Sequence, residues 1–292
     1  MTGAVKHKKK RELLITGPSF LWLLIFFVIP TLIVFAIAFK PSTPHGGIGA
    51  GWTLNTLMDL SNPNYPAIIW RTIWLSVVST VVCLLLAIPC GYCIARAPKR
   101  LRDLLLLLVI IPFWTNFLIR IFAWKVFLHP EGMLKQVLVF LHLCAPDATL
   151  LYNPATVLMV IIYTYLPFAI LPVYAAAEKF DFSLIEAARD LGATQFRAFT
   201  KIFLPGISRG VWTAILMVFI PALGAYVIPD IVGGPGGEMI GNKIAQRTFV
   251  DRNLPHAGAL SALLTLAVMI PLMLTLARTD WAGAKKKEKG AS

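Results

Sequence analysis

The chain has 292 residues, of which 58% are hydrophobic and only 14% charged, and its mean hydropathy is +0.74. That mix excludes an ordinary soluble globular domain and points to an integral membrane protein. The formal net charge of +13 does not mark a nucleic-acid-binding domain, because the basic residues are spread over short segments beside apolar runs rather than gathered on one soluble face.

About 20 apolar residues cross a hydrocarbon core, and six stretches are expected to do so. They are Leu13–Phe39, Ile73–Ile94, Leu104–Leu118 with an extension toward Val126, Ala155–Ala177, Val211–Ile231 and Ala257–Ala277. Arg120 and Lys125 follow the third run closely, and their simplest role is snorkelling at the interface. Prolines 30, 89, 112, 167, 172, 221 and 271 fall inside these runs and predict kinks, which membrane helices tolerate when neighbours satisfy the freed backbone. The first run has a basic start like a signal peptide, but it is too long and no A-x-A site follows, so an uncleaved helix is expected.

Orientation follows from where Lys and Arg cluster. Most of the 27 lie at Lys6, Lys8, Lys9, Lys10 and Arg11, at Arg96, Lys99, Arg100 and Arg102, at Lys179, Arg189, Arg197, Lys201 and Arg209, and at Arg278, Lys285, Lys286, Lys287 and Lys289. Placing these four segments inside puts both termini in the cytoplasm. Between spans three and four, Met133–Cys144 is apolar at helical spacing but too short to cross; it is expected to lie on the outer membrane surface, with contact to a binding protein as the alternative. Cys90 and Cys93 form a C-x-x-C inside the second span and read as packing cysteines, while Cys83 and Cys144 have no spacing that suggests a partner. The five histidines are dispersed, with no metal-ligand spacing and no nucleophile–base pattern, so neither a metal site nor a catalytic residue is expected.

The most polar internal stretch, residues 178–210, lies between spans four and five. Ser183 followed by Glu186 is a capping-box pattern and predicts a helix from Leu184. Gly192 is placed to end that helix in a left-handed conformation, Thr194 to cap a second helix reaching about Phe203, and Pro205 to break the chain before span five. Leu184, Ala188 and Leu191 share one helical face, away from Glu186, Arg189 and Asp190. By residue pattern alone, this is either an amphipathic loop resting on its own membrane domain or a docking surface.

Glu186-Ala187-Ala188, then Gly192, then Ile202 and Leu204-Pro205 resembles the "EAA" signature of permease subunits of bacterial ABC importers. The resemblance implies an all-α, six-helix permease of the type I (MetI-like) fold in the bacterial inner membrane. It also implies that Glu186, Ala187, Ala188, Asp190, Gly192, Ile202, Leu204 and Pro205 form the coupling loop that meets a cytoplasmic ABC ATPase dimer. ATP and Mg are then expected on that partner, with no cofactor in this chain. The nearest approach to a phosphate-binding loop here, Gly236 to Lys243, has Asn242 intruding and Ile244 where a hydroxyl residue is needed, and it falls on the outer side.

Two further stretches, Ile111–Trp124 and Tyr226–Gln246, are similar to the spermidine/putrescine permease subfamily. A polyamine is therefore the expected solute; related permeases for opines, aminoethylphosphonate and ferric iron share parts of the pattern. Trp114, Asn116, Tyr226 and Asp230 are candidates to line a path for an amine, through cation–π contacts and a carboxylate counter-charge. The bland alternatives are interfacial anchoring for the aromatics and helix-end capping for Asp230. Ala225 stands after Gly224 where several polyamine-type relatives carry an acid, which leaves anionic and zwitterionic solutes open. An ATP-independent secondary transporter is the competing class, but ion-coupled carriers keep ionisable groups deep in the bilayer, and the acids here, such as Asp103 and Asp230, are at span ends. The expected organisation is a cytoplasmic tail over 1–12, a membrane domain over 13–280 and a basic cytoplasmic tail over 281–292. The implied partners are a second, homologous permease chain, a periplasmic substrate-binding protein, membrane lipid and the ATPase.

Overall fold

A computed structural model describes residues 16–43, 46–61, 64–143 and 145–289, and among them the regular structure is helical, apart from one isolated bridge between Ser42 and Ile48. In chain order the principal helices are α1 (Thr16–Ala38), α2 (Asn64–Arg96), α3 (Lys99–Ile110), α4 (Phe117–Phe127), α5 (Met133–Phe140), α6 (Pro154–Glu178), α7 (Ser183–Asp190), α8 (Gln195–Gly206), α9 (Ser208–Leu223), α10 (Val227–Val232) and α11 (Leu254–Lys289). The expected tail over 1–12, His7, His45, Cys144 and the last three residues lie outside the described residues. Contacts divide the chain into two units, Met1–Tyr65 with Lys243–Ser292, and Pro66–Asn242.

In the first unit, α1 packs on α11 through Phe35, Ala38, Ala259 and Ala262. Pro30 lacks the amide that would bond one turn back, and the ladder widens into a π turn over Leu24–Val28 just before it. Beyond that contact α1 is uncovered: Phe20, Trp22, Phe26 and Phe27 are all exposed.

The second unit is built on α6, which packs against α9 along most of its length. The two backbones approach closely because Gly210 has no side chain: a Cβ there would collide with the Ala176 Cβ and lie 2.6 Å from the Pro172 carbonyl. Small residues are what close helix pairs in a bilayer require, since lipid tails compete equally for apolar contact. Buried Ala169, Val173, Ala177, Ala214 and Val218 continue the seam, and Cys83 and Ala87 bring α2 onto the same core. On α2 the buried Thr72, Ser79 and Thr80 hydroxyls donate to the carbonyls of Ile68, Leu75 and Ser76 at 2.8, 2.6 and 2.7 Å, so these polar groups are satisfied by their own helix.

Among the described residues the helices do not supply six straight crossings. α1, α2 and α6 are each long and apolar enough to cross; two more crossings arise only if each of two bent pairs is one span. The third expected span breaks in its middle: Lys99–Trp114 and α4 meet at 89°. Pro112 lies in a 3-10 turn over Ile111–Trp114, the Thr115 hydroxyl donates to the Pro112 carbonyl at 2.8 Å, and the Asn116 side-chain oxygen Oδ1 caps α4 by accepting from the Leu118 amide at 2.8 Å. A capped restart is a stronger local signal than the continuous hydrophobicity that suggested one helix. The fifth span stops at Leu223 instead of running to Ile231, with Gly224 at its end and α10 as a separate turn beyond. The sixth is the apolar Leu254–Ile270 stretch of α11, whose backbone stays helical to Lys289 through what was expected to be a separate tail.

Candidate functional site

The 178–210 loop is ordered by local hydrogen bonds. α6 ends at Glu178, and the Asp181 carboxylate accepts from the Ser183 amide at 3.0 Å. Hydrogen bonds from Ser183, side chain and amide, hold that carboxyl below its ordinary value. This replaces the expected capping box: α7 starts at Ser183 rather than Leu184, and no side chain caps it from Ser183. Of the face shared by Leu184, Ala188 and Leu191, only Ala188 reaches the core. Ile185 is buried and Ala188 half-buried on the core, whereas Leu184 is exposed and Leu191 is 89% exposed. Phe182 enters the core just before α7 and sets its rotation, so the residues three and six positions later follow it inward.

Gly192 does what the sequence requires, with φ +86°. The Ala193 amide donates to the Ala188 carbonyl at 3.0 Å and the Gly192 amide to Arg189 at 2.9 Å, the bonding of a Schellman C-terminus. The Thr194 hydroxyl accepts from the Arg197 amide at 3.3 Å and opens α8. Pro205 does not break this helix. A π turn over Phe199–Phe203 precedes it and absorbs the missing amide, and the 72° bend falls later, between Gly206 and Ser208.

The outcome is a polar turn on an apolar base. Glu186, Ala187, Asp190, Gly192 and Pro205 are exposed; Ala188, Ile202 and Leu204 are half-buried and support them from beneath. A concave surface of about 610 Å³ is lined by Glu186, Arg189, Asp190, Gly192, Ala193, Thr194 and Gln195. At its edges Leu191 and Phe196, the latter 76% exposed, leave apolar surface uncovered. Sequence reading missed the base itself, a cluster of Tyr92, Phe180, Phe182, Phe199 and Phe203. The phenylalanines just before and within the signature, two of each, were its available sign.

The candidate solute-path residues fall in two pairs. Trp114 (76% exposed) and Asn116 flank the break before α4, where Asn116 serves as a helix cap. Tyr226 and Asp230 lie one turn apart, the Asp230 amide donating to the Tyr226 carbonyl at 3.0 Å, and both side chains are exposed. α10 packs against α4 and α6, which makes the two carrying segments neighbours, but no hydrogen bond or ion pair joins the pairs among the described residues. Arg120 stacks over Phe113 at 5.2 Å.

The glycine-rich segment after α10 is a packing element rather than a phosphate cradle. Asn242, which is buried, accepts from the Met239 amide and donates to the Tyr226 carbonyl, both at 3.0 Å. The Thr72 hydroxyl accepts from the Ile240 amide at 2.9 Å, and an Arg71 guanidinium nitrogen donates to the Pro235 and Glu238 carbonyls at 3.3 and 3.4 Å. Cys83, Cys90 and Cys93 are free, and no group of three metal-ligating side chains exists among the described residues.

Comparison with known proteins places this geometry. The family described as "Binding-protein-dependent transport system inner membrane component" matches residues 84–282. The spermidine/putrescine transport system permease protein PotB of Haemophilus influenzae is 36% identical over 86% of this chain and 88% of its own length. PotB of Escherichia coli K12 is 34% identical over 87% of this chain and 91% of its own. Among solved structures, a bacterial alginate ABC transporter, in complex with an alginate pentasaccharide-bound periplasmic protein, superposes with a TM-score of 0.71 at 20% identity, covering 92% of this chain and 94% of that one. That likeness shows the shared all-helical permease fold. The chain therefore belongs to the family of binding-protein-dependent transport system inner membrane components, as a permease subunit of an ABC importer and not as an enzyme.

Proposed function

We propose that this permease carries a polyamine, spermidine or putrescine, delivered by a periplasmic binding protein. In this reading a cytoplasmic ABC ATPase dimer holding ATP and Mg drives it through the 178–210 loop. The observation that carries the docking is the turn from Glu186 to Gln195: it is polar and concave, edged by uncovered Leu191 and Phe196, and set on a ring cluster centred on buried Phe203. A surface of that composition, rigid and partly apolar, suits a protein partner better than bulk water. Both termini are then cytoplasmic, and a second, homologous permease chain completes the path.

The solute class rests on the two relatives named for spermidine and putrescine and on Asp230, an exposed carboxylate without an ion pair among the described residues. Asp230 with Tyr226, Trp114 and Asn116 offers a counter-charge and ring faces to an amine. Ala225, uncharged after Gly224, leaves open the second reading of an opine, aminoethylphosphonate or ferric iron. A thermal-shift panel on the cognate binding protein separates them: stabilisation by spermidine or putrescine supports the first, and stabilisation only by an anionic or zwitterionic solute or by ferric iron overturns it. For the docking, Gly192→Asp, which adds a charge and a side chain to the exposed turn, is expected to reduce copurification of the ATPase with the permease; undiminished retention and undiminished solute-stimulated hydrolysis would remove the assignment.

A further inference from the structure

The loop that is proposed to meet the ATPase is joined covalently to α6 and α9 alone, yet its ring base also includes a residue from a third helix. Tyr92, one turn before the end of α2, meets Phe182 ahead of α7 at 5.9 Å and Phe199 and Phe203 on α8 at 5.4 and 4.9 Å between ring centroids. All three contacts are edge-to-face, with interplanar angles of 69°, 80° and 80°. Phe203 is fully buried at the centre, where Phe180 also meets it at 5.3 Å. One ring of α2 therefore touches both arms of the Gly192 turn.

Arg96 fixes that ring from the other side. Its guanidinium donates to the Tyr92 hydroxyl at 2.8 Å and lies 5.7 Å from the centroids of both Tyr92 and Phe182. Next to it, Arg102 pairs with Glu178 at 3.1 Å, which ties the first turn of α3 to the last of α6. Edge-to-face contacts and a cation over a ring have preferred angles, unlike aliphatic packing, so a displaced partner draws the ring with it.

We propose that Tyr92, held by Arg96, is a positioning residue that passes movement of the 178–210 loop to α2, making α2 a third output of the ATPase stroke beside α6 and α9. This rests on the reading of that loop as the ATPase dock. It assigns a role to an aromatic–arginine pair outside the signature, and it distinguishes transmission from docking, because Tyr92 belongs to the base and not to the concave surface.

The test uses the assembled transporter with its ATPase, binding protein and solute, in wild type and in Tyr92→Leu, Tyr92→Phe and Arg96→Gln. Tyr92→Leu is expected to retain the ATPase at the wild-type ratio while solute-stimulated hydrolysis and uptake fall about tenfold, the scale of losing a few oriented ring contacts. Tyr92→Phe keeps the ring and should restore most of the coupling; Arg96→Gln should lie between them. Wild-type coupling in Tyr92→Leu overturns the proposal, as does loss of the ATPase from all three variants, which would make the cluster a support for the dock only. Should Tyr92→Leu fail to accumulate, Arg96→Gln decides alone: full coupling overturns the proposal and partial uncoupling with the ATPase retained supports it. Failure of the docking reading shows separately, as ATPase retention undisturbed by Gly192→Asp.

Discussion

The loop before α9 and the segment after it are both glycine-punctuated turns, but they direct their polar groups in opposite directions. Before α9, Glu186, Arg189 and Asp190 face outward and rings fill the interior. After α9, Asn242 turns inward to bind backbone, the Ile240 amide is met by Thr72 of α2, and Asp230 is left exposed on α10. The first arrangement is built to present a surface, the second to close an irregular backbone within an apolar environment, where every unpaired amide is costly. Substitutions at four positions would break or sharpen this contrast, and they are taken from the largest expected effect to the smallest.

Asn242→Leu removes an acceptor and a donor that no neighbour replaces. It should lower stability by about 2–3 kcal/mol, as unpaired buried amides and carbonyls do, and be seen as a lower unfolding temperature of the purified permease. A stability unchanged by this variant would mean that the outer segment is held by packing alone. Gly192→Val comes next. A Cβ at Gly192 meets nothing within 4 Å, so the penalty is conformational only, roughly 1–2 kcal/mol for a left-handed residue. The fold should persist while ATPase retention falls, and Gly192→Asn should be milder because asparagine tolerates this region. Equal loss in both would show that space rather than φ governs the turn.

Asp230→Asn keeps size and hydrogen bonding but deletes the charge. Uptake of radiolabelled spermidine should fall several-fold, the effect of one charge contact at reduced dielectric, with assembly and basal ATP hydrolysis intact. An anionic candidate assayed in the same variant should be unaffected or improved, and the reverse pattern would transfer the solute reading to anions. Asp181→Ala should matter least, because the Ser183 amide and hydroxyl that lose their acceptor are exposed and can bond to water. The carboxyl titrates below its ordinary 3.8, so its contribution is complete above that value and lost as pH falls through the depressed one. ATPase retention should therefore be flat across neutral pH in wild type, which a pull-down series checks.

What the sequence made legible was what is satisfied within a few residues. Gly192 and Thr194 announced their roles because a Schellman turn and an N-cap are local devices. The capping box failed because Asp181, two residues ahead, competes for the same amide. The residue pattern left open which side of α7 is buried, because Phe182, which leads the inward side, lies outside the helix. The third span looked continuous because hydropathy does not register a capped restart at Asn116. Tyr92 and Thr72 were beyond reach for another reason: their partners are distant in sequence, Thr72 and Ile240 by 168 positions, and no periodicity encodes such pairing. The membrane class and the helical fold, by contrast, follow from composition and run length alone.

The break before α4 also bears on how the chain enters the bilayer during synthesis. α3 has 12 residues, which at about 1.5 Å each reach roughly 18 Å, short of a hydrocarbon core of about 30 Å. Even with the 3-10 turn added, this segment is a poor independent substrate for the insertion machinery. What holds it in the folded chain is packing on α6 and the Arg102–Glu178 pair. The expected consequence is sequential capture: a chain truncated before α6 should leave α3 more open to extraction and proteolysis than α2, and equal protection of the two would show that α3 and α4 enter together as one bent span.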